Sequence, residues 1–467
     1  MDASQLIAQQ LLADPRVAEA TRLLQAAVTE HAAQLTARPA DPQLAEELQN
    51  HLNEYANLRG NPLFFPYLGS GAGRSSLVEL ADGSVKYDLI TGIGVHAMGH
   101  ANPELIAELV PAVISDTVMQ GNLQQNAESY KLSRELVALA KHNGAKLDHC
   151  FLSSSGAMAN ENALKILFQY RPGSQRILAF ENAFAGRSMV LNQVTDRPKN
   201  RVGQPQTIAV DYVPFYDAHA DAGVDSLHHS LRVLERHLQR FPDAHCGFIM
   251  ELVQGEGGYY GAPREYFIAL CSLLRKYNVP IMFDEIQTFG RTLQPFAFQM
   301  LRLDDYADVV TVGKMTQVCA TLFGEKLNPK PGLLSQTFTS STTAIVAARW
   351  ILRQLTTGEF YGEQGRIAAI HQRFASRFEA LREKAPEKIS GPWGVGAMVA
   401  LTPFDGSAEA AKRVLHGLYD AGVIAFVAGQ NPARVRFLPP FLSITDEEID
   451  AACDIIDDVI LALPRED

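Results

Sequence analysis

Short apolar runs alternate with helical stripes through the middle of the chain. Cys246–Met250 (CGFIM), Val279–Phe283 (VPIMF) and Asp308–Val312 (DVVTV) are brief, largely apolar and bounded by polar or turn residues. Runs of this kind fit strands buried on both faces. Between the first two lies Pro263–Asn278, where Phe267, Leu270, Cys271 and Leu274 recur at three- and four-residue spacing. That spacing predicts an amphipathic helix. Strand, helix, strand and a further strand imply parallel strands joined by crossovers, an α/β fold. Cys150–Leu152 and Ile177–Phe180 read as further strands. The first leads into a helix with Ala163, Leu164, Leu167 and Phe168 inward.

The flanks carry a different pattern. Residues 1–60 read as a helical arm, with Leu6, Ile7, Leu11 and Leu12 on one stripe and Leu44, Leu48 and Leu52 on another. Residues 61–74 hold Gly69, Gly71 and Gly73 but open no helix, as a dinucleotide loop would, so they read as a plain loop. Residues 75–89 read as a hairpin turning at Asp82-Gly83. Gly92–Pro103 reads as a loop: His96 and His100 are four apart, but the glycines disfavour the helix that two metal ligands would need. Asn102 and Pro103 then predict a capped helix over 103–113. Beyond residue 345, helices over 343–355 and 366–384 precede strands at Trp393–Leu401, Val423–Val427 and Arg434–Leu438. A closing helix starts with a capping box at Thr445 and Glu448. The division expected is 1–60 as arm, 61–85 as the N-terminal part of a small domain, 86–345 as a large domain, and 346–467 as a small α+β domain.

Composition narrows the partners. The net charge of −11 (41 basic against 52 acidic residues) disfavours nucleic acid and anionic membrane. The five cysteines form no CxxC pair, which fits a reducing, cytoplasmic setting. No apolar run is long enough to span a bilayer, and the first residues carry an acid at position two without a long apolar core, unlike a secretory signal.

Chemistry gathers where the apolar runs end. Parallel strands would carry Glu251, Asp284 and Lys314 to one rim, where open α/β sheets bind ligands. A lysine directly after a buried strand is desolvated, which depresses its pKa and makes it a better nucleophile toward a carbonyl. Ser154, Ser155, Gly156 and Ala157 form a small-residue turn opening a helix. It suits a phosphate, or equally an ordinary helix cap. Phe184, Gly186 and Arg187 follow a strand and suit ring stacking and anion binding, or plain packing.

Five collinear stretches resemble the class III aminotransferases, the ornithine and ω-amino-acid branch of fold-type I pyridoxal phosphate enzymes. They are SSSGAMANENALKI, AFAGRS, ELVQGEGG, DEIQTFGRT and RVRFLPPFLSITDEEID. The resemblance implies a mostly parallel seven-stranded sheet between helices, beside a smaller α+β domain. It also implies a pyridoxal 5'-phosphate cofactor and transfer of an amino group to 2-oxoglutarate in a homodimer. Residue by residue, Lys314 matches the lysine that holds the cofactor as a Schiff base and moves the proton, and Asp284 the acid paired with the ring nitrogen. Gln287 matches the residue near the ring hydroxyl, Phe184 the stacking aromatic, and Ser155, Gly156 and Ala157 the phosphate turn. Glu251 stands with them on the cofactor rim. Thr337 resembles the threonine given to a neighbouring subunit's phosphate. Arg187 and Arg436 match arginines for substrate carboxylates, and Glu256 the acid that masks the second. No metal is implied.

The chain departs from the pattern at Ala185, Leu252 and the TFTSST stretch after Thr337. KMTQVC with AFAGRS is most similar to the lysine 6-aminotransferase subgroup, so a lysine-, ornithine- or acetylornithine-type donor is expected. The alternatives on this scaffold are an aminomutase, a decarboxylase or a silent cofactor-binding protein.

Overall fold

The computed structural model describes residues 6–217 and 224–464. The first five residues of the predicted arm lie outside this range. Two compact units emerge: 119–368 with 393–398, and 1–118 with 369–392 and 399–467.

The second of these begins with three helices, α1 (Ile7–Leu12), α2 (Pro15–Ala32) and α3 (Pro42–Arg59). Asp14 and Asp41 cap α2 and α3, each followed by proline at the first helical position, so orphan N–H groups find acceptors. The helix α4 (Pro103–Val113) is capped by Asn102 as predicted. The hairpin at Asp82-Gly83 is present as Leu77–Leu80 against Val85–Asp88. Residues 69–74 are not a loop: they form an edge strand antiparallel to Leu77–Leu80, with a register shift between Gly69 and Gly73. Gly73 serves packing, since a Cβ there would lie 2.3 Å from the Cβ of His100, whereas Gly71 is required by its φ of +100°. His100 itself is held by Asp88 Oδ2 at 2.9 Å.

Two other strand expectations are corrected. Trp393–Leu401 belongs to two strands, Ile389–Val395 and Met398–Pro403. Gly396 turns the chain with φ +58°, and a Cβ there would meet the Arg291 carbonyl oxygen at 2.0 Å. Val423–Val427 also divides. Val423–Ile424 runs parallel to Val85–Asp88, while Phe426–Ala428 pairs with Arg434–Phe437 in a second sheet. Fully buried Ala425 carries the chain across. The closing helix Asp446–Ala462 has both arms of its capping box, Thr445 and Glu448.

The larger unit holds a seven-stranded sheet. Its strands are β1 (His149–Ser153), β2 (Arg176–Phe180), β3 (Ala209–Val213), β4 (His245–Met250), β5 (Ile281–Glu285), β6 (Val309–Val312) and β7 (Cys319–Phe323). Their order is β1-β7-β6-β5-β4-β2-β3. Only β7 runs antiparallel to its neighbours. All residues of β4, β5, β6 and β7 are buried, as expected for strands covered on both faces. The helix α5 (Gly156–Tyr170) turns Ala163, Leu164 and Leu167 into a core shared with Ile177, Ile249 and Met282, and Phe168 packs against its edge. The helix α6 (Arg264–Lys276) buries Phe267, Leu270, Cys271 and Leu274, as its spacing predicts. Helix Thr342–Thr357 also lies in this unit, which runs to residue 368.

Candidate active site

Register places the acids. Phe283 pairs with Met250 and Asp284 with Thr311, so Glu251 and Asp284 leave the sheet at one level. Lys314 follows two residues after β6. All three therefore stand on the rim that the apolar runs predict.

Asp284 is 6 % exposed and carefully held. Its Oδ1 accepts the Ile286 N–H at 3.0 Å, and its Oδ2 accepts the Asn160 side-chain N–H at 2.7 Å. Asn160 projects inward from α5, on the face of Ala163 and Leu164. It also donates to the Ala185 carbonyl at 2.8 Å and accepts from the Thr311 hydroxyl at 2.7 Å. Burial raises the Asp284 pKa to about 6, against the opposing pull of Ile286, Asn160 and Lys314. A buried cation brought to this carboxylate would favour its ionised form.

Glu251 ties two loops together. Its Oε1 accepts the Phe184 N–H and its Oε2 the Gly255 N–H, each at 2.9 Å. Burial and then the Asp284 charge raise its pKa to about 8, with the two N–H donors opposing. Glu285 points the other way along β5. It accepts the N–H groups of Ala297 and Phe298 at 3.1 and 2.9 Å and the Thr288 hydroxyl, and so anchors the chain after the rim.

Lys314 begins a short 3-10 turn with φ +53°, a left-handed backbone that costs a side-chain-bearing residue on the order of 1 kcal/mol. Residues held in such conformations cluster at active sites and ligand clamps. Gln287 is 7 % exposed and packs onto Gly255, where a Cβ would come within 2.6 Å of its amide carbon. Ser155 caps α5 by accepting the Met158 N–H at 3.2 Å, and Gly156 packs on Ile286. Gly186 presses on Ala157, bringing the Phe184 loop against the first turn of α5. The helix N-terminus, the half-buried Phe184 ring, Asp284 and Lys314 thus belong to one rim.

The remaining predicted residues are placed as follows. Arg187 is exposed, after Gly186. Glu256 is half-buried, and its carbonyl oxygen accepts from Arg197 Nη2 at 3.0 Å. Thr337 is exposed on a segment clamped to residues 120–122, since the Thr339 N–H donates to the Gln120 carbonyl at 2.7 Å. Arg436 lies in the other unit, fully buried on Arg434–Phe437 with its guanidinium 5.9 Å from the Phe426 ring centre.

Asn160, Thr311 and Arg197 escaped the sequence reading. Asn160 had a signal: a polar residue on the inward stripe of an amphipathic helix needs a partner. Thr311 was a lone hydroxyl in an apolar run. Arg197 had none. Its half-buried guanidinium has its pKa lowered by burial, against the opposing charges of Glu256, Asp196 and Glu251.

A phosphate-bearing ring with a basic nitrogen and a carbonyl suits this set. The α5 N-terminus offers N–H groups to the phosphate, Asp284 an acid for the ring nitrogen, and Lys314 an amine for the carbonyl. Comparison with known proteins agrees. The family description "Aminotransferase class-III" matches residues 66–460. The mitochondrial acetylornithine aminotransferase of Saccharomyces cerevisiae is 28% identical over 402 residues, covering 83% of this chain and 90% of its own. L-lysine-epsilon aminotransferase of Mycobacterium tuberculosis is 29% identical, covering 82% and 88%. The solved lysine aminotransferase from M. tuberculosis superposes with TM-score 0.77 at 24% identity, covering 87% of this chain and 98% of its own.

Proposed function

For a chain that belongs to the class-III aminotransferases, and is therefore a pyridoxal-phosphate-dependent transaminase, we propose an ω-amino or diamino acid donor and a 2-oxoglutarate acceptor. The donor is of the lysine, ornithine or acetylornithine type. Relatives named for acetylornithine and for lysine support this class. The observation that carries the site assignment is Asp284, buried between Asn160 and Ile286 on the rim it shares with Lys314.

When bound, the cofactor supplies an electron sink for charge developing at the substrate's amine-bearing carbon. Asp284 would hold a positive charge on the ring nitrogen, and Asn160 keeps the carboxylate aimed. With the cofactor bound, the Lys314 amine would hold it at its carbonyl carbon and would serve as the base that moves a proton at the donor's amine-bearing carbon. Ser155, Gly156 and Ala157 would hold the phosphate, Phe184 would stack on the ring, Gln287 would meet the ring hydroxyl, and Glu251 fixes the Phe184 and Gly255 backbones. Arg187 and Arg436 bind substrate carboxylates, for which an arginine fork is suited. Glu256 is the acid proposed to mask an arginine for one substrate.

Thr337 serves a neighbouring subunit's phosphate, so the working form is a homodimer; its exposed position supports this. The cytoplasmic reading rests on five unpaired cysteines, four of them buried. No helix among the described residues is long and apolar enough to cross a membrane.

The test is an absorbance titration of the cofactor-loaded protein with lysine, ornithine, acetylornithine and 4-aminobutyrate. The expected result is loss of the cofactor's resting band with one of the first three and its return on adding 2-oxoglutarate. Failure of all donors, or no return with 2-oxoglutarate, would move the reading to the aminomutase or decarboxylase alternatives.

A further inference from the structure

The N-terminal arm precedes the region that matches the family, and its helix α2 exposes Leu23 opposite the face that it packs. Val17, Thr21, Gln25, Val28 and Ala32 are half-buried and form the inner face, where α2 packs on α4. A helix lying on a protein surface should be polar opposite that face. Instead the outer face carries Arg16, Ala20, Leu23, Ala27 and Glu30, at successive spacings of four and three residues. Leu23 and its flanking Leu24 are 54% and 51% exposed, and neither α1 nor α2 buries a single residue. An 18-residue helix is marginal in water without packing on an apolar face.

The order of side chains on that outer face identifies what covers it. Leu23 is central, Ala20 and Ala27 flank it, and opposite charges close the ends. We infer that α2 pairs antiparallel with α2 of a second copy, about a two-fold axis passing beside Leu23. Arg16 and Glu30 each lie seven residues from Leu23, or about 10 Å along the helix. An antiparallel crossing therefore brings each Arg16 level with the partner helix's Glu30. A parallel crossing would set like charges together at both ends. The alanines let the two helices approach closely.

The Arg16 side chain is 90% exposed while it meets Asp14 at 2.7 Å, so it remains accessible to a second carboxylate. Leu6, which precedes α1, and Ile7 at its start are also exposed, at 69% and 78%. A bilayer is the poorer occupant: Arg16 and Arg22 are balanced by Glu19 and Glu30, whereas helices lying on membranes are rich in basic residues. This contact is independent of the proposed reaction.

Cysteine cross-linking of the full chain tests it. Of the native cysteines, four are buried and Cys150 is half-buried, so the background is low. Leu23→Cys, beside the axis, should oxidise to a covalent pair of chains, while Ala18→Cys, on the lateral face, should not. In sedimentation velocity, Leu23→Asp should reduce a wild-type particle of four chains to the two-chain form that completes the cofactor site, leaving the cofactor's absorbance intact. Arg16→Glu should weaken the association, and Arg16→Glu with Glu30→Arg should restore it. Equal cross-linking at positions 18 and 23, or wild-type mass for Leu23→Asp, would overturn the inference. Flotation with phosphatidylserine vesicles that Leu23→Asp abolishes without changing particle mass would instead assign the face to lipid.

Discussion

Replacing Asn160 by alanine removes three hydrogen bonds at once. The side chain is 1% exposed and links the Asp284 carboxylate, the Ala185 carbonyl and the Thr311 hydroxyl at 2.7, 2.8 and 2.7 Å. A hydrogen bond to a charged group is worth about 1.5–3 kcal/mol. If that support matters when charge develops beside Asp284, Asn160→Ala should lower kcat/KM by ~10- to 150-fold at 1.36 kcal/mol per decade. The Ala185 and Thr311 groups left without this partner each cost ~1–3 kcal/mol, so stability should fall as well. A second readout separates the two effects. With one donor gone, burial raises the Asp284 pKa further above about 6, so cofactor affinity should weaken most at acidic pH. Thr311→Val breaks only the bond between neutral groups and should move the same quantities by a smaller factor, ~2- to 10-fold. Absorbance titration with pyridoxal phosphate from pH 5 to 8, beside steady-state kinetics and thermal melts, measures all three. An Asn160→Ala protein that melts earlier yet keeps wild-type affinity, pH profile and turnover would refute the reasoning, leaving Asn160 a packing residue.

Other perturbations test separate parts of the account. Asp284→Ala should cost ~3–5 kcal/mol of transition-state stabilisation, the scale of a broken buried charge pair; an unchanged rate would remove the acid from the site. Burial raises both Glu251 and Asp284 above their ordinary values, to about 8 and about 6, so the folded cofactor-free protein holds more protons than the unfolded chain above about pH 4. Its thermal stability should therefore fall as pH rises from about 4 to about 8. Glu251→Gln should flatten the part of that slope between pH 6 and 8, whereas an unchanged slope would mean that Glu251 does not titrate there. Arg436→Ala should raise the KM for 2-oxoglutarate more than that for the amine donor; equal rises would deny its selectivity. Arg197→Ala should alter the ratio of donor to acceptor KM if the loop carrying Glu256 needs its anchor, and an unmoved ratio would confine Arg197 to scaffolding.

The sheet was legible because its central strands are buried on both faces, which forces continuous apolar runs ending in a few polar residues. Glu251, Asp284 and Lys314 could be placed on one rim from those ends alone. Cap chemistry was equally readable at Asn102, Thr445 and Glu448, where side chains meet their own helix. Errors arose where apolar continuity concealed a change of partner. Gly396 turns one run back on itself within a single sheet, while at Ala425 another passes from one sheet to the next, which nothing in its side chains marks. Residues 69–74 looked like a loop partly because the reason for Gly73 is the close approach of His100, distant in sequence. Asn160 was partly legible as a polar residue on an inward stripe. Arg197 was not, because its environment is assembled from Glu251, Asp196 and Glu256 only in the folded chain.

Borohydride reduction of the cofactor-loaded protein, followed by peptide mapping, bears most directly on the central claim. Reduction fixes the cofactor covalently to the amine that holds it. The pyridoxyl mass should appear on the peptide containing Lys314, in wild-type protein and not in Lys314→Ala. Modification of another lysine in its place, or a resting cofactor band that survives Lys314→Ala unchanged, would contradict the account.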